Sequence, residues 1–403
     1  MGTQDLEYVD LFAGAGGLSL GLEKAGFESL HAVEVDDDAR ASYAKNRDGI
    51  DSDDLSEDIT EIDTADIPDL VGRETVDLVA GGPPCQGFSE VVSPDGSDDR
   101  NHLFTYFIQW VDKLQPKAAL FENVRGMENT ADGRFLEAVK ESFANIGYEV
   151  TPKVVTASDF GVPQHRRRLI VLAFRGEAPE HSIDGFEMDP VETPGVIDGI
   201  GDLPEVEAGE QKTEYDQAPE TVLQDDLRGD NEDITLHQAA NHSDDMVEMI
   251  SHISDGGNRT EIPDDLQPSS GYHNSYSRLD SQEPAVAITS NMSKPSSARC
   301  IHPFQHRGLT PREGARLQTF PDWYQFVGGL VSIRKQIGNA VPPYLGESLG
   351  YYLKEAVYDS ELTDVEQERV KTIRSGALSL ENFEELRDDI GGAKKQVTLG
   401  SMD

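Results

Sequence analysis

The chain has 403 residues, a formal net charge of −42 and an isoelectric point near 4.4. Its hydrophobic content of 37% is low but sufficient, at this length, for one large domain or two. Two cysteines exclude a disulfide framework. A polar N-terminus and the lack of an apolar run of about 18 residues argue against a signal peptide or a membrane span. The composition predicts a cytoplasmic protein.

Acidic residues outnumber basic ones by 76 to 34, and 21 of the basic residues are arginine. Such a balance is typical either of a disordered acidic chain or of a folded protein from a salt-rich cytosol. The acids are spread through segments with the apolar–polar alternation of folded protein, which favours an extreme halophile. At about 1 M salt, charges are screened beyond roughly 3 Å, so the low isoelectric point does not exclude nucleic acid as a partner.

The first 46 residues predict a strand, a tight glycine turn, a helix, a second strand and a second helix, which is the opening of a nucleotide-binding fold. Gly14 and Gly16 lie in the turn, where glycine lets the backbone approach a ligand closely. Glu34 follows Gly14 by 20 residues, a distance typical of a carboxylate that accepts the hydroxyls of a ribose. Ser19 replaces the third glycine of the usual pattern, so an ordinary turn without a ligand remains an alternative.

Residues 81–89, GGPPCQGFS, follow a short apolar segment that predicts a buried parallel strand. The glycines and prolines end the strand and place Cys85 on a rigid turn at its carboxyl end, where open α/β sheets bind ligands. A lone cysteine in an intracellular protein is usually a small buried hydrophobic residue. Pro-Pro and glycine neighbours cannot continue a core strand, so the pattern favours a nucleophile.

Residues 117–121 predict the next strand, which ends at Glu122. A helix connects it to the strand before Cys85, and a right-handed crossover places two such strands side by side. The sequence therefore predicts that Cys85 and Glu122 lie close together. Asp58 and Ile59 follow an acidic linker, and they lie either at the end of a third strand or in a solvated loop.

The densest basic run of the chain is residues 164–168, QHRRR, between the last two predicted strands of the sheet. In a protein this acidic, such a run favours an anion or phosphate site over a solvated loop. Residues 176–270, in contrast, are acidic and rich in Gly, Pro and Ser, and they predict a second, loop-rich domain.

Residues 278–335 are basic overall, and within them Thr310-Pro311-Arg312-Glu313 predicts the start of a helix with a capping box and proline at its first position. The helix carries Arg312 and Arg316 four residues apart, on one face. The contrast with the rest of the chain predicts that this face contacts a polyanion.

In their order along residues 8–350, these segments resemble the cytosine-C5 DNA methyltransferases. The resemblance rests on DLFAGAGG at 10–17, Glu34, Asp58-Ile59, PPCQGFS at 83–89, Glu122-Asn123-Val124, QHRRR at 164–168, residues 309–318 and GNAV at 338–341. One motif can arise by chance, whereas the ordered set does not. Most of residues 176–277 and the tail after about 360 lie outside the resemblance.

The resemblance implies an α/β fold, a Rossmann-like S-adenosylmethionine-dependent methyltransferase sheet with an inserted small target-recognition domain. Residues 1–178 and 331–362 would form the catalytic, S-adenosylmethionine-binding domain. Residues 179–330 would form the target-recognition domain, and residues 363–403 an acidic C-terminal tail. The segment around Asn339 is expected to return beside the first glycine turn.

The resemblance also implies how S-adenosylmethionine is held, with no metal. Glu34 would bind the ribose, Asp58 the adenine amino group and Ile59 the adenine ring. The complete implied set is Phe12, Ala13, Gly14, Gly16, Glu34, Asp58, Ile59, Gly82, Pro84, Leu103, Asn339 and Val341. The product would be S-adenosylhomocysteine.

The implied chemistry begins when a Cys85 thiolate adds to C6 of a cytosine that has flipped out of the duplex, which makes C5 nucleophilic. Glu122 would hydrogen-bond N3 and the exocyclic amine. Arg166 and Arg168 would bind the nucleotide's phosphate and the base O2, and residues 90–100 are expected to be a lid over the DNA.

The implied partner is double-stranded DNA, bound by a monomeric, nucleoid-associated enzyme, and a cognate restriction endonuclease is a second candidate partner. Three alternatives stay open: a cytosine methyltransferase that acts on RNA, a non-catalytic DNA-binding protein of the same fold, and a nicotinamide-dependent oxidoreductase. The CQGFS form and a target domain of more than 100 residues favour DNA. The presence of Cys85 and Glu122 favours catalysis, and together with Ser19 in place of a third glycine it argues against the oxidoreductase.

Overall fold

The computed structural model describes residues 6–84, 103–128, 134–179, 188, 190–268, 275–387 and 390. Cys85, together with residues 86–102, lies outside the described residues. The strands are β1 (Leu6–Leu11), β2 (Phe27–Val33), β3 (Leu78–Gly81), β4 (Ala118–Val124), β5 (Tyr148–Thr156), β6 (Gln164–His165), β7 (Arg167–Arg175), β8 (Ser277–Arg278), β9 (Ala285–Val286) and β10 (Arg299–Ile301).

The helices lie on both sides of the main sheet, in the insertion and at the C-terminus. They are α1 (Gly17–Lys24), α2 (Asp37–Lys45), α3 (Ile67–Val71), α4 (Leu103–Leu114), α5 (Arg134–Asn145), α6 (Val196–Ile200), α7 (Val222–Arg228), α8 (Asp244–Ser251), α9 (Pro311–Leu317), α10 (Leu330–Asn339), α11 (Pro343–Val357), α12 (Asp364–Arg374) and α13 (Leu380–Leu386).

Six strands form one mixed sheet in the order β2-β1-β3-β4-β7-β5. The first four of these are parallel to one another, and β7 runs antiparallel between β4 and β5. Gly81, at the end of β3, lies opposite Phe121 of β4. The segments that continue to Gly82 and to Glu122 therefore leave the sheet side by side, as the crossover rule predicts.

The central strands are apolar along their length because helices cover both faces of the sheet. In β3, Leu78 and Ala80 point into the core shared with α1 and α11. Val79 points to the other side, into the core that contains Phe107 and Trp110 of α4. This two-sided burial fixes the sheet and directs the carboxyl ends of its parallel strands to one edge.

The chain after the insertion returns to the first glycine turn, as the resemblance implies. α11 packs against α1 so closely that a Cβ on Gly21 would lie 2.4 Å from the backbone nitrogen of Glu347. A Cβ on Gly17 would lie 2.4 Å from the carbonyl oxygen of Val341. Only glycine permits these contacts, so α1 and α11 fix the position of residues 339–341 beside the turn.

The insertion contains two packing environments. Its first part, through α6, shares a core with α9, α10 and Ala15 of the glycine turn. Residues 244–266, which we call the α8 lobe, pack with Tyr276 and Ile301 around a small core of their own that includes Ile250 and Ile253. Leu279, Ala285 and Ile288, which follow in the chain, belong to the larger core. The division at 179 and 330 remains a prediction, and the packing separates only the α8 lobe from the larger cores.

Helix α9 begins with the predicted capping box, in which the Glu313 N–H donates to the Thr310 hydroxyl at 3.1 Å and the Thr310 N–H donates to the Glu313 carboxylate at 2.7 Å. Its arginines, however, are fully buried. Arg316 is paired with Asp202 and Asp322, and Arg312 lies 3.4 Å from Asp322. The prediction that Arg312 and Arg316 face a polyanion is therefore wrong, because internal carboxylates already neutralise them.

Residues 361–387 fold back onto the rest of the chain. The apolar spacing from Leu380 predicts one helix, and α13 occupies that position. Helix α12 was not predicted, and it buries Val370 and Ile373 in the core shared with α11. Over the described residues, no helix has the length and apolar character to cross a membrane.

Candidate cofactor and catalytic site

The turn after β1 adopts left-handed backbone conformations at Phe12 (φ 61°), Gly14 (φ 57°) and Gly16 (φ 83°). A phenylalanine rarely takes this conformation, and such strain clusters at binding sites. The Gly14 N–H donates to Glu34 Oε2 at 2.8 Å, and the Asp36 N–H donates to Oε1 at 2.8 Å. These two bonds fix the Glu34 carboxylate beside the turn.

A cavity of about 510 Å³ lies at the carboxyl ends of the four parallel strands. This volume is within the range of small-molecule sites, about 300–1,000 Å³. Eleven of the twelve residues predicted to bind the cofactor line it: Phe12, Ala13, Gly14, Glu34, Asp58, Ile59, Gly82, Pro84, Leu103, Asn339 and Val341. The twelfth, Gly16, precedes α1 behind the turn, where a Cβ would lie 2.8 Å from the Tyr43 ring.

Asp58 and Ile59 reach the cavity from a short 3-10 turn. The expectation that they end a third strand is wrong, because Ser56 makes only an isolated bridge to Val33 and the sheet continues with β3. Asp58 accepts the Thr60 N–H at 2.9 Å and the Thr60 hydroxyl at 2.7 Å. Both bonds end on Oδ1, so Oδ2 is available to a ligand. Ile59 is buried and forms an apolar wall.

Glu122 lies at the end of the cavity next to Gly82. A Cβ on Gly82 would lie 2.9 Å from Glu122 Oε2, so a larger residue there would displace the carboxylate. The other carboxylate oxygen, Oε1, lies 2.8 Å from Arg168 Nε. Burial raises the pKa of Glu122, although the charges of Arg168 and Arg166 oppose the shift. Glu122 therefore holds a proton to higher pH than a free glutamate does.

Arg166 occupies an interior position, and Arg168 lies nearer the surface. The Arg166 side chain is buried and donates to the carbonyl oxygens of Ile288 at 3.0 Å and Gly338 at 2.9 Å. It thereby connects the chain between β6 and β7 to the insertion and to α10. Two of its donors are thus bonded to the backbone, and its predicted contact with the flipped nucleotide stays a prediction.

The segment that leads to Cys85 is held by Asn123, whose side-chain amide donates to the Pro83 carbonyl at 2.7 Å. Asn123 is buried beside Glu122 on the adjacent strand. Cys85 itself lies outside the described residues, so its predicted proximity to Glu122 stays a prediction. The described part of the stretch, Gly82 to Pro84, lies against Glu122 as expected.

Two features of the cavity were not found from the sequence. Asp10, at the cavity floor, is buried and accepts the Ser19 hydroxyl at 2.5 Å. Burial raises its pKa to about 7. An acidic residue inside an apolar strand was the signal that sequence reasoning could have used. Lys335 pairs with Asp36 at 2.7 Å, and both line the cavity. The two residues are 299 positions apart, so no local sequence pattern indicates that they pair.

The cavity chemistry matches an adenosyl cofactor. Glu34 offers a carboxylate to a ribose diol, and Asp58 offers an acceptor to an amino group next to the apolar wall of Ile59. At the other end lies Glu122, paired with Arg168. Within the described ranges, no group of three His, Cys, Asp or Glu residues could hold a metal.

The sheet has four parallel strands and an antiparallel β7 near one edge, and the cavity lies at the carboxyl ends of the parallel strands. This arrangement defines a Rossmann-like S-adenosylmethionine-dependent methyltransferase. The chain belongs to the C-5 cytosine-specific DNA methylases, whose family model matches residues 6–355. It is a DNA (cytosine-5)-methyltransferase, which excludes the oxidoreductase and the non-catalytic binding protein as alternatives.

Similar proteins include restriction-system enzymes from bacteria. The chain is 38% identical over 347 residues to the type II methyltransferase M1.HphI of Haemophilus parahaemolyticus, with 85% of each protein covered. It is 33% identical over 370 residues to the type II methyltransferase M.DdeI of Desulfomicrobium norvegicum, covering 85% of this chain and 87% of the relative. A DNA modification methyltransferase encoded in an E. coli prophage has a similar structure, with a TM-score of 0.71, 28% identity and coverage of 88% and 99%.

Proposed function

We propose that this enzyme transfers a methyl group from S-adenosylmethionine to C5 of cytosine within a specific duplex DNA sequence, through base flipping and a covalent adduct between Cys85 and C6. The observation that carries the proposal is the position of Glu122. Its carboxyl lines the cofactor cavity, lies against the segment that leads to Cys85, and is partnered by Arg168.

The cavity would hold S-adenosylmethionine between the glycine turn and residues 339–341. Glu34 retains free lone pairs on both oxygens for the ribose hydroxyls, and Asp58 Oδ2 would accept the adenine amino group. Gly82, Pro84 and Leu103 line the part of the cavity next to Glu122. When bound, the cofactor supplies the methyl group.

The protein would make cytosine reactive by two contacts. The Cys85 thiolate adds to C6, which gives C5 the character of an enamine carbon that can take the methyl group. Protonated Glu122 donates to N3 and stabilises the charge that develops there, and Arg168 orients Glu122 and contacts the base O2. Removal of the C5 proton by a base then expels the thiolate and restores the ring.

Base flipping follows from the position of these groups. Glu122 is largely buried, at the edge of the sheet where the parallel strands end. A cytosine stacked in a duplex cannot present C6 and N3 to such a site, so the nucleotide must rotate out of the helix. Residues 90–100, which the sequence predicts to be a lid, lie outside the described residues.

We further propose that the enzyme acts in a restriction-modification system, as a monomer with a cognate endonuclease encoded separately. Support comes from the relatives in Haemophilus and Desulfomicrobium, which are named type II methyltransferases and are covered over 85% and 87% of their length. Digestion of host DNA with and without the gene, followed by bisulfite sequencing, would reveal the protected sequence.

The decisive experiment uses duplex DNA with 5-fluorocytosine, whose fluorine cannot be removed as a proton, so the adduct is trapped. In KCl buffer with S-adenosylmethionine, we expect a covalent complex that is lost in Cys85→Ser. Cys300→Ser is the matched control, because Cys300 is buried and burial raises its thiol pKa to about 12. No complex with the parent protein, or transfer of labelled methyl groups to RNA only, would contradict the proposal.

A further inference from the structure

The C-terminal segment, residues 361–387, extends beyond the family match, which ends at residue 355. It is fixed to the catalytic core through Arg369 of α12. Arg369 Nε lies 2.8 Å from Glu347 Oε1, and Nη2 lies 3.1 Å from Oε2, so the two side chains form a bidentate pair. Glu347 belongs to α11 and is fully buried. Lys354 of α11 also pairs with Glu366 of α12.

The same arginine holds the insertion. Arg369 pairs with Asp226 of α7, and Asp226 in turn accepts the hydroxyl of Tyr344 at 2.6 Å. Arg369 therefore joins α7, α11 and α12 at one point. A planar guanidinium with several donors in a fixed geometry is suited to two carboxylates at once. Loss of its charge would leave Asp226 and Glu347 as buried, uncompensated acids.

Backbone hydrogen bonds continue this attachment along the segment. In each of these bonds, one residue belongs to the first part of the insertion and the other lies within residues 374–380. The bonds are Val191 N–H to Arg374 O at 2.8 Å, Val222 N–H to Leu378 O at 3.0 Å, Leu223 N–H to Gly376 O at 3.0 Å and Leu380 N–H to Glu220 O at 3.1 Å. Ile373 is buried in the same core as Leu223 and Leu227 of α7.

These contacts end on residues 191–226, whereas the α8 lobe begins later and has its own core. Between the two, Ile234 packs in the core shared with α9 and α10, and the Arg312 N–H donates to the Leu236 carbonyl oxygen. The first part of the insertion is thus attached to the catalytic core from both α11 and α12.

We propose that residues 361–387 are an intramolecular brace that makes residues 190–228 part of the catalytic body. The brace rests on the contacts of Arg369 and on the backbone bonds, independently of the proposed function.

The test is amide hydrogen exchange of the full-length protein, without DNA. In Arg369→Met, the amides of Val222 and Leu223 should exchange at least about tenfold faster, because the carbonyl acceptors on residues 376 and 378 separate from them. Amides of β1 and β4 should keep their protection. Arg369→Lys, which keeps the charge but not the bidentate geometry, should give a smaller increase. Arg387→Met, which removes a partly exposed pair with Glu368 on the same segment, should leave both amides unchanged.

Unchanged exchange at Val222 and Leu223 in both Arg369 variants would overturn the brace. Equal acceleration of β1, β4 and α7 in Arg369→Lys would also overturn it, because it would show a general loss of stability without a local release. Exchange at residues 190–228 in the parent protein should be slower than in residues 244–266 of the α8 lobe. The measurement uses neither DNA nor cofactor, so failure of the methylation assay would contradict the proposed function and leave this result intact.

Discussion

The Glu122 carboxylate lies 2.8 Å from Arg168 Nε, and the two residues come from antiparallel neighbouring strands in which Val124 is opposite Arg168. Burial raises the pKa of the acid, and the arginine lowers it. The sheet thus places a carboxyl group of raised pKa next to a permanent positive charge. That combination suits a group that must donate to cytosine N3 and then stabilise the charge that forms.

Glu122→Gln should lower the rate of methyl transfer about 10²- to 10⁴-fold, because general acid catalysis and charge stabilisation at N3 are lost. Affinity for S-adenosylhomocysteine should stay close to that of the parent protein. Single-turnover transfer of tritiated methyl groups and calorimetric binding measure the two effects. Glu137→Gln, on the exposed side of α5, is the control. A fully active Glu122→Gln enzyme would refute the assigned role.

The rate of methyl transfer should fall on the alkaline side as Glu122 loses its proton. Arg168 lowers the pKa of Glu122, so removal of its charge must raise that pKa further. In Arg168→Met the alkaline limb should therefore move to higher pH, even though the maximal rate is lower. Arg125→Met, at an exposed position in the turn that follows β4, should leave the limb in place. A shift to lower pH in Arg168→Met would contradict the pairing.

Asp10 should make folding stability depend on pH. Its folded pKa of about 7 is above the ordinary value of 3.8, so the native state keeps a proton that the unfolded state has lost. The favourable contribution is present below pH 4 and is lost as the pH rises to about 7, with an upper limit of about 4 kcal/mol. Asp10→Asn, which cannot ionise, should remove this dependence in urea unfolding. Glu61→Gln, on an exposed turn, should retain it.

Arg316→Met should destabilise the protein by about 3–5 kcal/mol, because it leaves Asp202 and Asp322 buried without their partner. The dependence of DNA affinity on salt should stay the same, since a buried arginine contacts no phosphate. Lys294→Met, at an exposed position of the insertion, should change stability little. A reduced salt slope in a stable Arg316→Met protein would restore the polyanion interpretation.

Potassium chloride should stabilise the folded chain. With a net charge of −42, self-repulsion opposes compaction, and molar salt screens it beyond roughly 3 Å. We expect the midpoint of thermal unfolding to rise between 0.1 M and about 3 M KCl. A midpoint that is independent of salt, or that falls, would contradict the halophilic interpretation of the composition.

Local patterns predicted most of the strands and the residues around the cavity. Apolar runs ended by glycine, proline or acidic residues marked β1, β3 and β4 because both faces of a parallel sheet are buried. One wrong prediction concerns Arg312 and Arg316, which helical spacing placed on one face but could not place relative to Asp202 and Asp322. Helical spacing shows which side chains share one face of a helix, but it does not show which residues pack against that face.

The sequence by itself determined the fold class, the family and eleven of the residues that line the cavity, because these depend on motifs whose backbone geometry is local. Tertiary structure decided which charges are neutralised and which parts of the chain form one body. Arg166, Arg316 and Arg369 are all basic residues in an acidic protein, yet their partners lie up to 172 residues away. The energy of a charge depends on its burial and its neighbours, and only the folded chain supplies both.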